Sequence, residues 1–184
     1  MKRTGVCLLI VFVLLSGGCG AAREEEAFEK WRGQVAAAGE ICFDAVITAH
    51  WEDAAAEFSV SVRHQNGETV AAVTAPETIA GITFRRGEKG DRLEFDDLIL
   101  ELDAGHDHPV VPCEAPALLL AAVADGWPQF FGHEGGYDTV AIEALGGETV
   151  TLRRDASGVP VYAEIARNGV TELTLSIEHW QMKE

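Results

Sequence analysis

The chain is short of basic residues: 14 Lys and Arg stand against 30 Asp and Glu in 184 residues, a formal net charge of −16. A surface this acidic repels phosphate backbones and anionic lipid headgroups, which excludes nucleic acid as a partner and leaves any membrane contact to something other than charge. Long apolar runs are missing as well. The two most apolar stretches, residues 6–15 and 117–124, fall well below the roughly 20 residues that a membrane-crossing helix needs. The motifs of familiar enzymes are not there either: the chain has no Gly-x-Ser-x-Gly, no P-loop and no His-Glu-x-x-His. Acidic pairs such as Asp96 and Asp97, or Glu101 and Asp103, lack the apolar surround that would raise a carboxyl pKa for acid/base work. These absences argue against an enzyme and imply no cofactor. No internal repeat of fixed period occurs.

What is present begins at the N-terminus. Lys2 and Arg3 precede the apolar stretch 6–15, and Leu15-Ser16-Gly17-Gly18-Cys19 follows. This is the order of a signal peptide, and its end resembles a bacterial lipobox, with Ser16 where the commonest form has Leu. Small residues there fit the peptidase cleft, and the Cys19 thiol is the expected site of lipidation. The alternatives are an ordinary secretory signal or an N-terminal membrane helix. The expected organisation is a signal peptide over 1–18, a lipidated Cys19 with a flexible tether over 19–26, and one domain over 27–182. Two acyl chains hold a protein stably at a membrane, so the expected location is the extracytoplasmic face of the cell membrane. Removing residues 1–18 leaves 166 residues with 12 basic and 30 acidic side chains, a charge of −18; that length suits a single core. Cys7 leaves with the signal and Cys19 carries the lipid, so Cys42 and Cys113 remain, either as a disulfide or as free thiols.

Periodicity outlines the rest. Phe28, Trp31, Val35 and Ala38 recur at helical spacing behind Glu24, Glu25, Glu26 and Glu29, and Gly39 supplies a stop. From Ile41 the period changes to two: Ile41, Phe43, Ala45, Ile47, Ala49 and Trp51 form one strand, and Ala56, Phe58, Val60 and Val62 another, with a turn near Glu52 and Asp53. Asn66-Gly67 and Asn168-Gly169 are hairpin turns, because both central residues of a type I′ turn need positive φ. Short strands follow over 69–75, 83–85, 92–95 and 98–102. The segment 104–113 is a loop, Pro116 opens a short apolar helix, and Phe130-Phe131 lies in a Gly-flanked loop. Four more strands run over 137–144, 149–154, 159–166 and 170–179. Short connections make sequential strands antiparallel neighbours.

The predicted fold is therefore mainly β (α+β): a long antiparallel meander of about nine to eleven strands, an estimate from pattern alone, curled into an unclosed half-barrel with helices packed in its concave side. Either the helices fill that concavity, or they leave an apolar pocket open to a greasy ligand. The residues leave both open.

Element order and one segment add a resemblance. The acidic stretch, amphipathic helix, long hairpin 41–64, Pro76-Glu77-Thr78-Ile79-Ala80-Gly81-Ile82, Gly-rich hairpin, Pro-led apolar helix and the turn Asp155-Ala156-Ser157-Gly158-Val159-Pro160 resemble the LolA-like lipoproteins of spore-forming Firmicutes. These include relatives of the germination lipoprotein GerS, within the wider LolA, LolB and RseB superfamily. The resemblance spans roughly residues 24–180. It implies a helix-capped open barrel whose apolar cavity holds acyl chains of a lipid or lipoprotein, without enzymatic activity. For the family's cavity-gating arginine it offers two positions, Arg63 and Arg85. A tether suits a receiver, sensor or scaffold with an envelope protein partner better than it suits a shuttle.

Trp31, Phe43, Phe58, Phe84, Phe95, Leu119, Trp127 and Phe130 are the candidate cavity-lining residues, each of which also reads as ordinary core. Phe130 is placed at the rim. The one cluster with metal-ligand character is His106, His108, Cys113 and His133; its spacing is not that of a recognised zinc site, so no metal is assigned.

Overall fold

The computed structural model describes residues 18–51, 54–102 and 111–183, with side chains from residue 22 onward. Eleven strands form one antiparallel sheet. In chain order they are β1 (Glu40–Trp51), β2 (Ala54–Gln65), β3 (Glu68–Ala75), β4 (Thr83–Gly87), β5 (Gly90–Phe95), β6 (Leu98–Leu102), β7 (Trp127–Glu134), β8 (Tyr137–Glu143), β9 (Thr149–Arg154), β10 (Pro160–Arg167) and β11 (Val170–Lys183). Two helices accompany them, α1 (Gly18–Ala37) and α2 (Ala115–Asp125).

The spatial order β6-β5-β4-β3-β2-β1-β11-β10-β9-β8-β7 shows how the meander is laid out. The first and last strands meet at the centre of the sheet, in a register running from Glu40 opposite Lys183 to Ala49 opposite Leu173. The chain steps outward to β6 at one edge, crosses to β7 at the other, and steps back inward. Among the described residues β6 and β7 do not pair, so the sheet stays unclosed. The expected half-barrel is what forms.

Turn chemistry fixes the registers. Asn66 and Gly67 adopt φ of 53° and 75°, and Asn168 and Gly169 adopt 52° and 78°, the positive values that a two-residue hairpin turn requires. One face of the central strands carries Ile41, Phe43, Ala45, Ile47, Val60, Val62, Leu173 and Leu175, all buried. The alternation of these apolar positions with polar ones decides which face turns inward.

Helix α1 buries Phe28, Trp31 and Val35 along one side and contacts β7 and α2. Gly39 N–H donates to the Lys183 carbonyl at 2.8 Å, which hands the chain directly into β1 beside the end of β11. Helix α2 is buried on most of its circumference, as its composition predicts, and contacts β3, β8 and β10. It therefore lies across the inner face as the crossover between the two edges.

Three expectations need revision. Residues 20–26, read as a tether, belong to α1, which begins at Gly18; Ala and Glu are good helix formers and no proline interrupts them. Phe130 and Phe131, read as loop, lie in strand β7. An edge strand tolerates Pro128, whose missing N–H is not needed on the free side, and a bulge between Pro128 and Phe130 takes up the irregularity. The loop expected over 104–113 ends in a 3₁₀ turn at Pro112–Glu114. The signal peptide, the turn at Glu52 and Asp53, and His106 and His108 lie outside the described residues.

Candidate functional site

The inner wall is aromatic at one end. Phe43 on β1 stacks on Trp180 of β11 with centroids 5.0 Å apart; Trp180 lies 6.4 Å from Trp31, Trp31 lies 5.9 Å from Phe28, and Phe28 lies 5.8 Å from Phe131. The cluster thus joins β1, β11, α1 and β7. A bulge makes it possible. Cys42 faces Gln181 and Asp44 faces Glu178, so β11 carries two residues, His179 and Trp180, opposite Phe43 alone. His179 takes up the strain at φ 54° and turns out to meet Asp44 at 2.9 Å, leaving Trp180 to turn inward.

Arg154, at the end of β9, enters this aromatic end. It is only 4% exposed, and its guanidinium carbon lies 4.9 Å from the Trp31 centroid and 5.6 Å from that of Phe28. The ring faces stabilise the cation. Burial nevertheless pulls its pKa below the ordinary arginine value, against the attraction of Asp138. Arg154 shares the inward phase of Val150 and Leu152 on the same strand, a signal legible in the sequence once charge is not taken to mean outward. The two arginines suggested by the resemblance lie elsewhere. Arg63 is on the outer face and pairs with Glu40 at 2.5 Å; Arg85 is also outward and pairs with Glu94 at 2.8 Å.

The eight cavity candidates separate into four groups. Trp31 and Phe43 belong to the aromatic cluster. Phe84, 0% exposed on β4, and Leu119, 1% exposed on α2, are fully enclosed in the core. Phe58 is half-buried on β2, while Phe95, Trp127 and Phe130 are exposed on β5 and β7. Sequence reading missed Phe28, Trp180 and Arg154, and also Leu98, Ile99 and Leu100, which are exposed on edge strand β6. Exposed apolar side chains stand at both free edges, Leu98 to Leu100 on β6 with Phe95 beside them, and Trp127 and Phe130 on β7 opposite the outward residues Glu143 and Ala141; others, among them Trp51, Leu145 and Val170, lie away from the edges. The two edges are the lips of the unclosed barrel.

Close to the cluster, Arg23, Glu24, Ala27, His133 and Asp138 line a cleft of about 420 Å³ between α1 and the β7–β8 hairpin. Asp138 is the register partner of Arg154 across β8 and β9. Its carboxylate is engaged by His133 Nδ1 at 2.8 Å. A second groove of about 450 Å³ lies around the β11 bulge and is lined largely by polar side chains, among them Glu40, Asp44, Arg63 and Lys183.

The metal candidates do not assemble among the described residues: no group of three or more His, Cys, Asp or Glu side chains is placed to hold an ion. Cys113 is buried, and burial pushes its thiol up to about 11, so it stays protonated. His133 is exposed and bonded to Asp138. Cys42 and Cys113 are both free thiols.

No protein-family model matches the chain, and none of the curated proteins matches its sequence. Solved structures share its fold. A DUF1329 family protein from Desulfovibrio piger aligns over 85% of this chain and 90% of its own at 10% identity, with a TM-score of 0.50. A LolA superfamily protein from Nitrosomonas europaea aligns over 79% and 86% at 11% identity, TM-score 0.47. A chain of the complex between the CwlD amidase and the GerS lipoprotein of Clostridioides difficile aligns over 85% and 94% at 11% identity, TM-score 0.47.

Proposed function

We propose that this protein is a membrane-anchored extracytoplasmic lipoprotein that binds the acyl chains of a lipid or of another lipoprotein on the inner face of its half-barrel, without catalysing a reaction. The observation that carries the reading is the pair of apolar lips. The sheet opens between β6 and β7, and both free edges carry large apolar side chains, Leu98 and Leu100 on one and Trp127 and Phe130 on the other. An apolar patch on either side of an opening favours entry of an apolar ligand. The Cys19 anchor supports the receiver or sensor role over that of a shuttle.

Quenching by brominated acyl chains tests this. In a protein with Trp51 and Trp127 replaced by Phe, the remaining emission comes from Trp31 and Trp180, both inside. Titration with a dibrominated fatty acid should quench it saturably, since bromine quenches only at contact. Unchanged emission would contradict acyl binding. Labelled palmitate incorporated into the wild type and lost in Cys19→Ser checks the anchor.

A second reading has its own observation. Phe84, Leu119, Ile142, Leu152 and Leu175 are all at most 1% exposed, and an interior so well enclosed suits a scaffold whose lips engage an envelope protein. Absence of quenching together with partner binding lost on replacing Leu98 and Leu100 by Lys would favour it.

A further inference from the structure

Two buried N–H donors at the aromatic end have no hydrogen-bond acceptor among the described residues: Arg154 Nε and Trp180 Nε1. Both border Trp31, whose ring lies 4.9 Å from the Arg154 guanidinium carbon and 6.4 Å from the Trp180 ring. A buried donor is costly to leave unmet, and one on a guanidinium more so. The register partner of Arg154, Asp138, attracts its charge but is engaged by His133 at 2.8 Å, and no ion pair joins it to Arg154 among the described residues. Two carboxylate oxygens are also buried without partners, one on Glu148 and one on Glu172. Glu148 belongs to the β8–β9 turn, where its other oxygen takes Arg167 at 2.8 Å, and neither belongs to the aromatic cluster. The unmet groups of that cluster are all donors. They call for an acceptor, and the cation calls for an anionic one.

We propose that Arg154, assisted by Trp180, reads an oxyanion at the head of the acyl ligand, a phosphate or carboxylate carried on an aliphatic chain. This rests on the acyl-binding function proposed above and adds the chemistry of the head group. Trp31 and Phe28 pack together beside the guanidinium, their centroids 5.9 Å apart and 4.9 and 5.6 Å from its central carbon, and hold it in place with its unmet Nε–H as the recognising group. The chain of the ligand runs along the apolar wall and its head meets Arg154. The cleft lined by Arg23, Glu24, Ala27, His133 and Asp138 lies beside α1, next to the register partner of Arg154.

The test uses the full lipidated chain in phosphatidylcholine nanodiscs, titrated with dodecyl phosphate, dodecanol or inorganic phosphate. Binding is read from the Trp180 indole and Arg154 Nε proton–nitrogen resonances. The wild type should prefer dodecyl phosphate to dodecanol by about ten- to a hundredfold, the range of a buried charge-assisted hydrogen bond. Arg154→Met should abolish the preference, while Arg154→Lys keeps a smaller preference. Trp180→Phe, which keeps the stack on Phe43, should lower it severalfold. Arg154→Met replaces a buried charge that has no ion-pair partner among the described residues by an apolar chain, so its melting temperature should equal or exceed that of the wild type. Equal binding of dodecyl phosphate and dodecanol, unaffected by Arg154→Met, would overturn the oxyanion reading and leave acyl binding standing. Binding of neither amphiphile would overturn both. Inorganic phosphate as strong as dodecyl phosphate would mark a free-anion site and overturn the proposal.

Discussion

Arg32 on α1 donates two hydrogen bonds to the carbonyl oxygen of Ala124 on α2, from Nη2 at 2.7 Å and from Nε at 3.3 Å. A third, at 3.0 Å, goes to the carbonyl of Gly126, the residue after α2 ends. Helix C-termini leave carbonyls unsatisfied and carry partial negative charge, so one guanidinium both caps α2 and ties it to α1. Arg32→Ala should destabilise the fold by about 1–2 kcal/mol, read from urea unfolding. Arg32→Lys should recover only part, because a single ammonium cannot reproduce three hydrogen bonds to two carbonyls from one rigid fork.

Gly126 is constrained by its surroundings. A Cβ there would lie 2.6 Å from the Ala122 carbonyl oxygen, 2.6 Å from Ile142 Cγ2 and 2.9 Å from the Glu143 carbonyl oxygen. Two of these are backbone and cannot turn aside. Gly126→Ala should cost about 1–3 kcal/mol, the usual range for overpacking, and lower the melting temperature measurably.

A buried ion pair fastens the crossover to the first half of the sheet. Arg86 Nη2 on β4 meets Glu114 Oε1 at 2.6 Å and Asp91 Oδ2 at 2.5 Å. Burial disfavours the Arg86 charge, but the two acids outweigh it and raise its pKa. Arg86→Met leaves Glu114 buried without its cation and should cost about 3 kcal/mol. Adding Glu114→Gln should recover part of that loss in a double-mutant cycle.

How much of this was legible in the sequence depended on whether the signal was local. Asn66-Gly67 and Asn168-Gly169 fixed their hairpins, because positive φ at two successive positions is a property of those residues alone. Alternation found β1, β2 and β11, whose inner faces are apolar without interruption. Strand β7 escaped because Pro128 and Gly132 mimic a loop, and only its edge position makes them acceptable. Trp180 faces inward because a bulge shifts the phase of β11, which no reading by alternation can anticipate. Arg154 was in phase with Val150 and Leu152, but its place depends on rings from α1, far away in the chain. Likewise Phe84 and Leu119 read the same as Phe95 and Trp127, since which apolar residue ends in the core and which at a lip is decided by the strand order.

His64 predicts part of the pH response. Its Nδ1 lies 2.8 Å from Thr69 Oγ1, and burial lowers its pKa below the ordinary 6.5. The unfolded chain therefore binds a proton more readily, so the contribution of His64 is complete above pH 6.5 and is lost as pH falls through its lowered folded value. His64→Gln should flatten stability against pH in that window. An unchanged slope would show that His64 protonates as freely in the folded protein.

Acyl chains on the inner face are the central claim, and native mass spectrometry of the protein extracted from its own envelope tests it most directly. The proposed covalent anchor would contribute a fixed mass that survives denaturation. The account predicts an additional, non-covalent lipid mass that disappears on denaturation and returns when acyl ligands are added back. A spectrum without such a mass, unchanged by added acyl ligands, would contradict it.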